Sequence, residues 1–227
     1  SNIPIDVIIS PEREVAKSLF RKLEAPGALD NVPFVKDKVK LLEILIEQKC
    51  PIANIPLKDL TKKFPEFKAY IFGAERKENF VFLKKNDQMK VGDKVYVVVS
   101  TDQINKLLSV FGHNEKLAKK ILIIGGGNVG LHLAKLLEAT EGLRIKIIEK
   151  DKIRAEQIAG ELSSSIVICG DPLDEKILKE ANIEEVETVF ALTEDDEDNI
   201  MACVLAEKHK PSKRTIAIIN KHNYNLL

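Results

Sequence analysis

One stretch of this chain constrains its fold more than any other. The apolar run Ile121-Leu122-Ile123-Ile124 leads into Gly125-Gly126-Gly127-Asn128-Val129-Gly130, which opens a helix-patterned segment from Leu131 to Leu137. A second apolar run, Ile145-Lys146-Ile147-Ile148, ends at Glu149. Strand, G-x-G-x-x-G, helix, strand and acid, in that order, form the dinucleotide-binding pattern. Gly125 permits the tight turn, Gly127 lets the main chain approach a pyrophosphate, and Gly130 lets the helix pack close to the strand. The helix start at Asn128 and Val129 offers free N–H groups and a partial positive charge to phosphates. Glu149 stands where a carboxylate can accept hydrogen bonds from both ribose hydroxyls. It would also repel a 2′-phosphate, so NAD(H), ATP or ADP fits better than NADP. A turn that only tightens a βαβ unit does not need three glycines and a distal acid.

The same grammar continues downstream. Strands are expected at Lys120–Ile124, Arg144–Ile148, Ile166–Cys169, Thr188–Leu192 and Thr215–Ile219, and helices at Asn128–Glu138, Ile153–Leu162, Glu175–Ala181 and Asp198–His209. Strands apolar on both faces, separated by amphipathic helices, specify a parallel sheet covered on both sides. Right-handed crossovers make it a doubly wound α/β fold, with its ligand crevice at the carboxyl ends of the strands. The glycine loop, Glu149, Gly170-Asp171 and Thr193 all fall at those ends.

The N-terminal part reads differently. Val39–Glu47 alternates as a strand, Ile55–Phe64 is a short helix among prolines, and Phe67–Glu75 and Phe80–Lys84 are strands joined by a polar turn. Lys94–Ser100 is a β-branched strand, and Asp102–Phe111 is a helix with Thr101 or Asp102 as N-cap. The result is a small α+β domain of β-α-β-β-β-α order over residues 35–113, followed by a linker and the Rossmann unit over 118–227. Residues 3–34 form a separate strand-helix element: a strand at Ile5–Ser10, a helix starting at Pro11 with an apolar stripe through Leu23, then a turn at Pro26-Gly27. That strand has no sheet of its own. It is expected to pair with the edge of a Rossmann sheet, in the same chain or in a second copy.

Several residues carry two readings. Asp171 either hydrogen-bonds the adenine or ribose side of a ligand, or forms a turn with Pro172. Thr193 lines the pocket and is also read as an N-cap with Asp196 as its capping-box partner. The acidic run Glu194–Asp198 invites a divalent cation, but it lacks the glycine of an EF-hand loop, and acids in a helix's first turn are favoured by the helix dipole. We therefore assign no metal site and no catalytic residue. Lys152 and Arg154 can reach a ligand phosphate or stay solvated. His132 lies on the glycine-loop helix, where a packed or surface imidazole is the plainer role.

Charge narrows the function. The 35 basic and 35 acidic residues cancel, which argues against a general nucleic-acid binder. No apolar run approaches the ~20 residues that span a bilayer, so the chain is read as soluble. Cys50, Cys169 and Cys203 are far apart with no C-x-x-C, which fits reduced, mostly buried thiols.

Taken together, these pieces resemble the RCK family, the regulators of potassium conductance, in its branch of Trk-type potassium-uptake subunits. The residues that carry the resemblance are Ile121–Gly130, Ile148–Asp151 with Arg154-Ala155, Gly170-Asp171, and above all Ala191-Leu192-Thr193-Glu194-Asp195-Asp196-Glu197-Asp198-Asn199-Ile200. Upstream, Ile8–Glu12 and Ala25–Leu29 resemble the crossover that ends a family N-lobe, and residues 35–112 resemble its C-lobe. The order implies the end of one N-lobe, its C-lobe, then most of the next N-lobe, so the chain is expected to be a fragment. Tyr224–Leu227 resembles the start of the next crossover helix. The resemblance implies a ligand site of Gly125, Gly127, Asn128, Val129, Gly130, Glu149, Lys150, Arg154, Asp171 and Thr193, filled by NAD(H) or ATP/ADP. It implies a non-enzymatic, cytoplasmic regulator that forms a dimer or tetrameric ring. That ring sits at the inner face of the plasma membrane on the pore subunit of a potassium transporter, with no nucleic-acid partner. The competing reading is an NAD-dependent oxidoreductase. It lacks an evident proton-transfer group, since no histidine precedes His113.

Overall fold

The computed structural model describes residues 10–65, 68–211 and 214–220, and its contacts divide the chain into two units. One comprises Arg21–Leu117; the other joins Ala118–Leu227 with the stretch that ends at Phe20. Helix α1 (Pro11–Glu24) crosses the division, with Pro at its first position and Glu12 and Glu14 in its first turn. The strand expected at Ile5–Ser10 and the helix start expected at Tyr224–Leu227 lie outside the described residues, apart from Ser10.

In the smaller unit, five strands form one antiparallel sheet. They are β1 (Asp30–Phe34), β2 (Val39–Leu45), β3 (Ala69–Arg76), β4 (Asn79–Phe82) and β5 (Lys94–Ser100), in the order β1-β2-β5-β3-β4. Helix α2 (Leu57–Lys63) and helix α3 (Ile104–Val110) supply Leu60, Ile104, Leu107 and Leu108 to a core with Leu42, Ile44, Val95, Val97 and Val99. The order departs from β-α-β-β-β-α in one respect: a strand, β1, precedes the first expected one. It pairs with β2 from Asp30↔Glu43 to Phe34↔Val39. Its only buried side chain is Asn31, and it contains Pro33, so it is an edge strand held by main-chain bonds with no apolar period to read. The α3 start also differs. A single 3₁₀ turn, Thr101–Gln103, precedes the helix, and neither Thr101 nor Asp102 caps it. Lys40 occupies an inward position of β2 and is buried, held by Glu24 at 2.7 Å and Asp37 at 3.2 Å. Arg76 grips the buried Asp93 bidentately, Nε to Oδ1 at 2.8 Å and Nη2 to Oδ2 at 2.6 Å.

The larger unit is the doubly wound sheet. Its strands are β6 (Lys120–Ile124), β7 (Arg144–Glu149), β8 (Ile166–Cys169), β9 (Thr188–Ala191) and β10 (Arg214–Ala217), all parallel, in the order β10-β9-β6-β7-β8. Helices α4 (Asn128–Glu138), α5 (Lys152–Glu161), α6 (Glu175–Glu180) and α7 (Asp196–His209) make the crossovers. The expected elements recur within one or two residues at most ends. Ile121–Ile124 and all of β9 are buried, as strands covered on both faces must be. The edge strand β8 is more open, which is why Cys169 is exposed rather than buried like Cys50. The chain runs outward from β6 through β7 to β8, then returns to β9 on the other side of β6. That reversal opens the crevice at the carboxyl ends of β6 and β9.

The end of α4 is clasped to the loop before β8. Glu138 accepts hydrogen bonds from the N–H groups of Ser163, Ser164 and Ser165 and from the Ser165 hydroxyl, at 2.7–3.1 Å. Partial burial alone would raise this carboxyl, but the four donors overcome it and hold the acid at about 2, against an ordinary value of 4.5. A depressed carboxyl stabilises the fold fully above its unfolded value and loses that contribution as pH falls towards its folded value. Glu138→Gln is therefore expected to lower stability by about 1.5–3 kcal/mol at neutral pH. The gap from the unmodified chain should close as pH falls from 4.5 towards 2, as read by thermal melts across that range.

Candidate functional site

At the carboxyl end of β6 the chain turns through Gly125, whose φ is +101°. A Cβ there would also lie 2.9 Å from the Leu192 carbonyl and the Thr193 nitrogen. The main chain is fixed on both sides: Gly125 N–H donates to Ile148 O at 2.9 Å, and Leu192 N–H donates to Ile124 O at 2.7 Å. A Cβ on Gly130 would stand 2.0 Å from the Gly125 carbonyl oxygen, so α4 reaches its distance from β6 only because that side chain is missing. Gly127 is different: a Cβ there meets no heavy atom within 4 Å. Gly125 and Gly130 serve the fold, and Gly127 keeps space free beside the loop.

The starts of the four helices of this unit are not alike. Asp151 caps α5 by accepting from Arg154 N–H, Asp174 caps α6 from Lys176 N–H, and Asp195 caps α7 from Asp198 N–H. Helix α4 begins at Gly127 with no side-chain cap. Its first-turn N–H groups, which an α-helix cannot satisfy internally, are left for something else.

These groups face a cleft of about 510 Å³ lined by Gly125, Gly127, Asn128, Glu149, Lys150, Arg154 and Thr193. Asp151, Pro172, Leu192, Glu194, Asp195 and Asp198 complete its wall with Ile148. Of the residues expected from sequence, Val129 sits in the first turn of α4, Gly130 is buried beneath the loop, and Asp171 stands beside the wall without lining it. Glu149 spends both oxygens on main chain: Oε2 accepts from Gly126 N–H at 2.7 Å and Oε1 from Asp151 N–H at 2.8 Å. Arg154 Nε donates to Gly126 O at 2.8 Å. Asp171 accepts from Leu173 N–H at 2.9 Å and pairs with Lys150 at 3.2 Å. The Leu173 bond, more than the lysine, lowers its carboxyl below the ordinary range. Asp171 is thus both the turn former and one half of an ion pair that joins the ends of β7 and β8.

Thr193 does not cap α7; Asp195 does, two residues later. Thr193 is tied instead to Asn199. Its buried side chain accepts from Thr193 N–H at 2.9 Å, bonds Thr193 Oγ1 at 2.8 Å, and donates to Thr193 O and Ile218 O, each at 3.0 Å. Thr193 Oγ1 itself accepts from Asp195 N–H at 3.2 Å, so Thr193 forms the turn that leads into the capping Asp195. Asn199 was not singled out from sequence; its one signal is a polar side chain on the buried stripe of α7. Within the acidic run, Asp195 caps and Asp196 is buried, accepting from Asn220 N–H at 3.0 Å. Among the described residues no three His, Cys, Asp or Glu side chains group to hold a metal ion. His132 does not line the cleft.

Comparison with known proteins covers both units. The TrkA-C domain model matches residues 41–112 and the TrkA-N domain model residues 121–227. The Trk system potassium uptake protein TrkA of Azorhizobium caulinodans is 42% identical over 224 residues, which is 98% of this chain and 49% of that protein. The protein of the same name from Vibrio alginolyticus is 33% identical over 98% of this chain and 48% of its own length. The chain thus spans about half the length of the curated relatives it matches. Among solved structures, the GsuK RCK domain superposes with a TM-score of 0.59 at 17% identity, covering 93% of this chain and 44% of that one. The GsuK channel bound to NAD gives 0.61 at 15%, covering 94% and 37%. At such identities the likeness concerns the fold.

The glycines separate by test. Gly130→Ala places its Cβ on backbone that cannot yield and is expected to cost about 3 kcal/mol, while Gly127→Val melts close to the unmodified chain. Denaturant unfolding of the two variants side by side checks the contrast.

Proposed function

The chain belongs to the TrkA family, as a TrkA-C domain followed by a TrkA-N domain of the RCK type, and on that footing we propose that it is a nucleotide-binding regulatory part of a membrane potassium-uptake system. The observation that carries the nucleotide reading is the uncapped start of α4, opening into a cleft whose other wall holds Glu149. The three other crossover helices of the parallel sheet are capped by their own aspartates, and an open start facing the cleft favours an anionic ligand. The ligand is an adenine nucleotide, NAD(H) or ATP/ADP. Its phosphates lie against the N–H groups of Gly127, Asn128 and Val129. Its ribose meets Glu149, and its adenine side lies towards Lys150 and Asp171, with Arg154 and Thr193 at the loop. The NAD-bound GsuK channel, whose fold this chain shares, supports a dinucleotide.

The role is regulatory rather than catalytic. Of the carboxylates at the cleft, Glu149 is committed to two main-chain N–H groups and Asp195 to capping α7. Among the described residues no helix is long and apolar enough to cross a membrane. On this reading the pore is a separate subunit of the uptake system. A dimer or ring of these domains on the cytoplasmic face would pass the nucleotide's effect to that pore. Nucleotide regulates such an assembly only through a difference in affinity for its two states.

Calorimetric titration with NAD, NADH, ATP, ADP and NADP tests the reading. Glu149→Ala is expected to weaken NAD by about 1.5–3 kcal/mol, the range for hydrogen bonds to a charged group, and NADP should bind the unmodified chain less tightly than NAD. Gly127→Val should abolish binding in a protein that still folds. Equal affinity for NAD and NADP would sink the Glu149 assignment, and a Gly127→Val variant that keeps nucleotide would place the ligand elsewhere.

A further inference from the structure

Four hydrogen bonds close a circuit around the phosphate loop. Gly126 N–H donates to Glu149 Oε2 at 2.7 Å, and Asp151 N–H donates to Glu149 Oε1 at 2.8 Å. Arg154 N–H donates to Asp151 Oδ1 at 2.7 Å, and Arg154 Nε returns to Gly126 O at 2.8 Å. Gly126 is thereby held on its N–H by an anion at the end of β7 and on its carbonyl by a cation in the first turn of α5. Beneath it lies Ile158, whose Cδ1 would stand 2.4 Å from a Cβ on Gly126.

The circuit leaves one donor unused. Arg154 Nη2 is buried and has no hydrogen-bond partner. Nε and Nη2 lie on the same edge of a guanidinium and take two oxygens side by side. Arg76 shows the edge fully used in this chain, with both nitrogens on Asp93. Arg154 puts one nitrogen of that edge on the Gly126 carbonyl and leaves the other enclosed without a partner. A buried unpaired donor is costly, and more so on a charged group.

We propose that Arg154 is the positioning residue of this site: with Glu149 it sets the loop from both sides of Gly126, and it reserves Nη2 for an anionic oxygen of the ligand. The inference rests on the nucleotide reading above and adds to it the means by which phosphate, rather than adenosine, is recognised. The geometry assigns Arg154 two duties on one edge. A lysine cannot carry both, because its ammonium is a point charge without a fork.

The test pairs calorimetric titration of the whole chain, with adenosine and with ADP, with amide hydrogen exchange at Gly126 in the absence of ligand. Arg154→Gln is expected to weaken ADP by about tenfold or more and adenosine by less than about twofold. It should also speed Gly126 exchange by about tenfold while Ser163–Ser165, held by Glu138, stay unchanged. Arg154→Lys should lose ADP affinity in the same way. An Arg154→Gln chain that binds ADP like the unmodified one overturns the proposal, as does full rescue by lysine or an equal loss for adenosine and ADP. If the unmodified chain binds neither compound, the nucleotide reading falls by itself. In that case faster Gly126 exchange in Arg154→Gln still supports the positioning role, and unchanged exchange ends it.

Discussion

The close approach of α4 to the end of β6 sets everything at this site. A Cβ on Gly130 would fall 2.0 Å from the Gly125 carbonyl oxygen, so a single absent side chain decides how near the helix start comes to the sheet. With the helix seated there, its first N–H groups reach the carboxyl ends of the strands, where the return from β8 to β9 has left a crevice. The positive φ of Gly125 then turns the loop sharply enough for Gly126 N–H to meet Glu149 at the end of β7. Backbone geometry comes first, and the electrostatics of the site follow from it.

Helix capping shows the same order of causes. A capping aspartate stabilises a helix by about 1 kcal/mol, and α5, α6 and α7 each have one. Helix α4 forgoes that contribution. Its loss is offset by deep packing: Leu131, Leu133, Ala134 and Leu137 are buried, and Glu138 clasps Ser163–Ser165 at the far end. The helix is held by its face and its C-terminus, which frees its N-terminus. A helix stabilised in this way tolerates an empty first turn without fraying the sheet behind it.

Legibility in the sequence followed burial. Ile121–Ile124 and Thr188–Ala191 are covered on both faces, so their apolar runs announced strands, and the glycine spacing announced the loop. Strand β1 was not legible because its one buried side chain is the polar Asn31 and its register comes from main-chain pairing with β2. The cap of α7 was misplaced for a similar reason. Thr193 has the right residue type, but its hydroxyl accepts from Asp195 N–H in a turn and donates to Asn199, and Asp195 takes the cap. The circuit through Asp151 and Arg154 also has no sequence signature, because two of its partners are the N–H and carbonyl of Gly126, and main-chain groups are the same in every residue.

The size of these local interactions bears on regulation. Coupling between a ligand and a distant state is commonly about 1–3 kcal/mol, and no ligand shifts an equilibrium by more than its differential affinity for the two states. One hydrogen bond to a charged group contributes about 1.5–3 kcal/mol, so a single bond made in one state and strained in the other suffices. Glu149 and Arg154 both grip Gly126, and both sit on the segment that runs from β7 into α5. The Lys150–Asp171 pair carries the same segment to the end of β8. A nucleotide that takes hydrogen bonds from these groups must redistribute bonds that now join three strand ends. If the chain is the nucleotide-binding regulator proposed above, those bonds are of the magnitude that coupling needs.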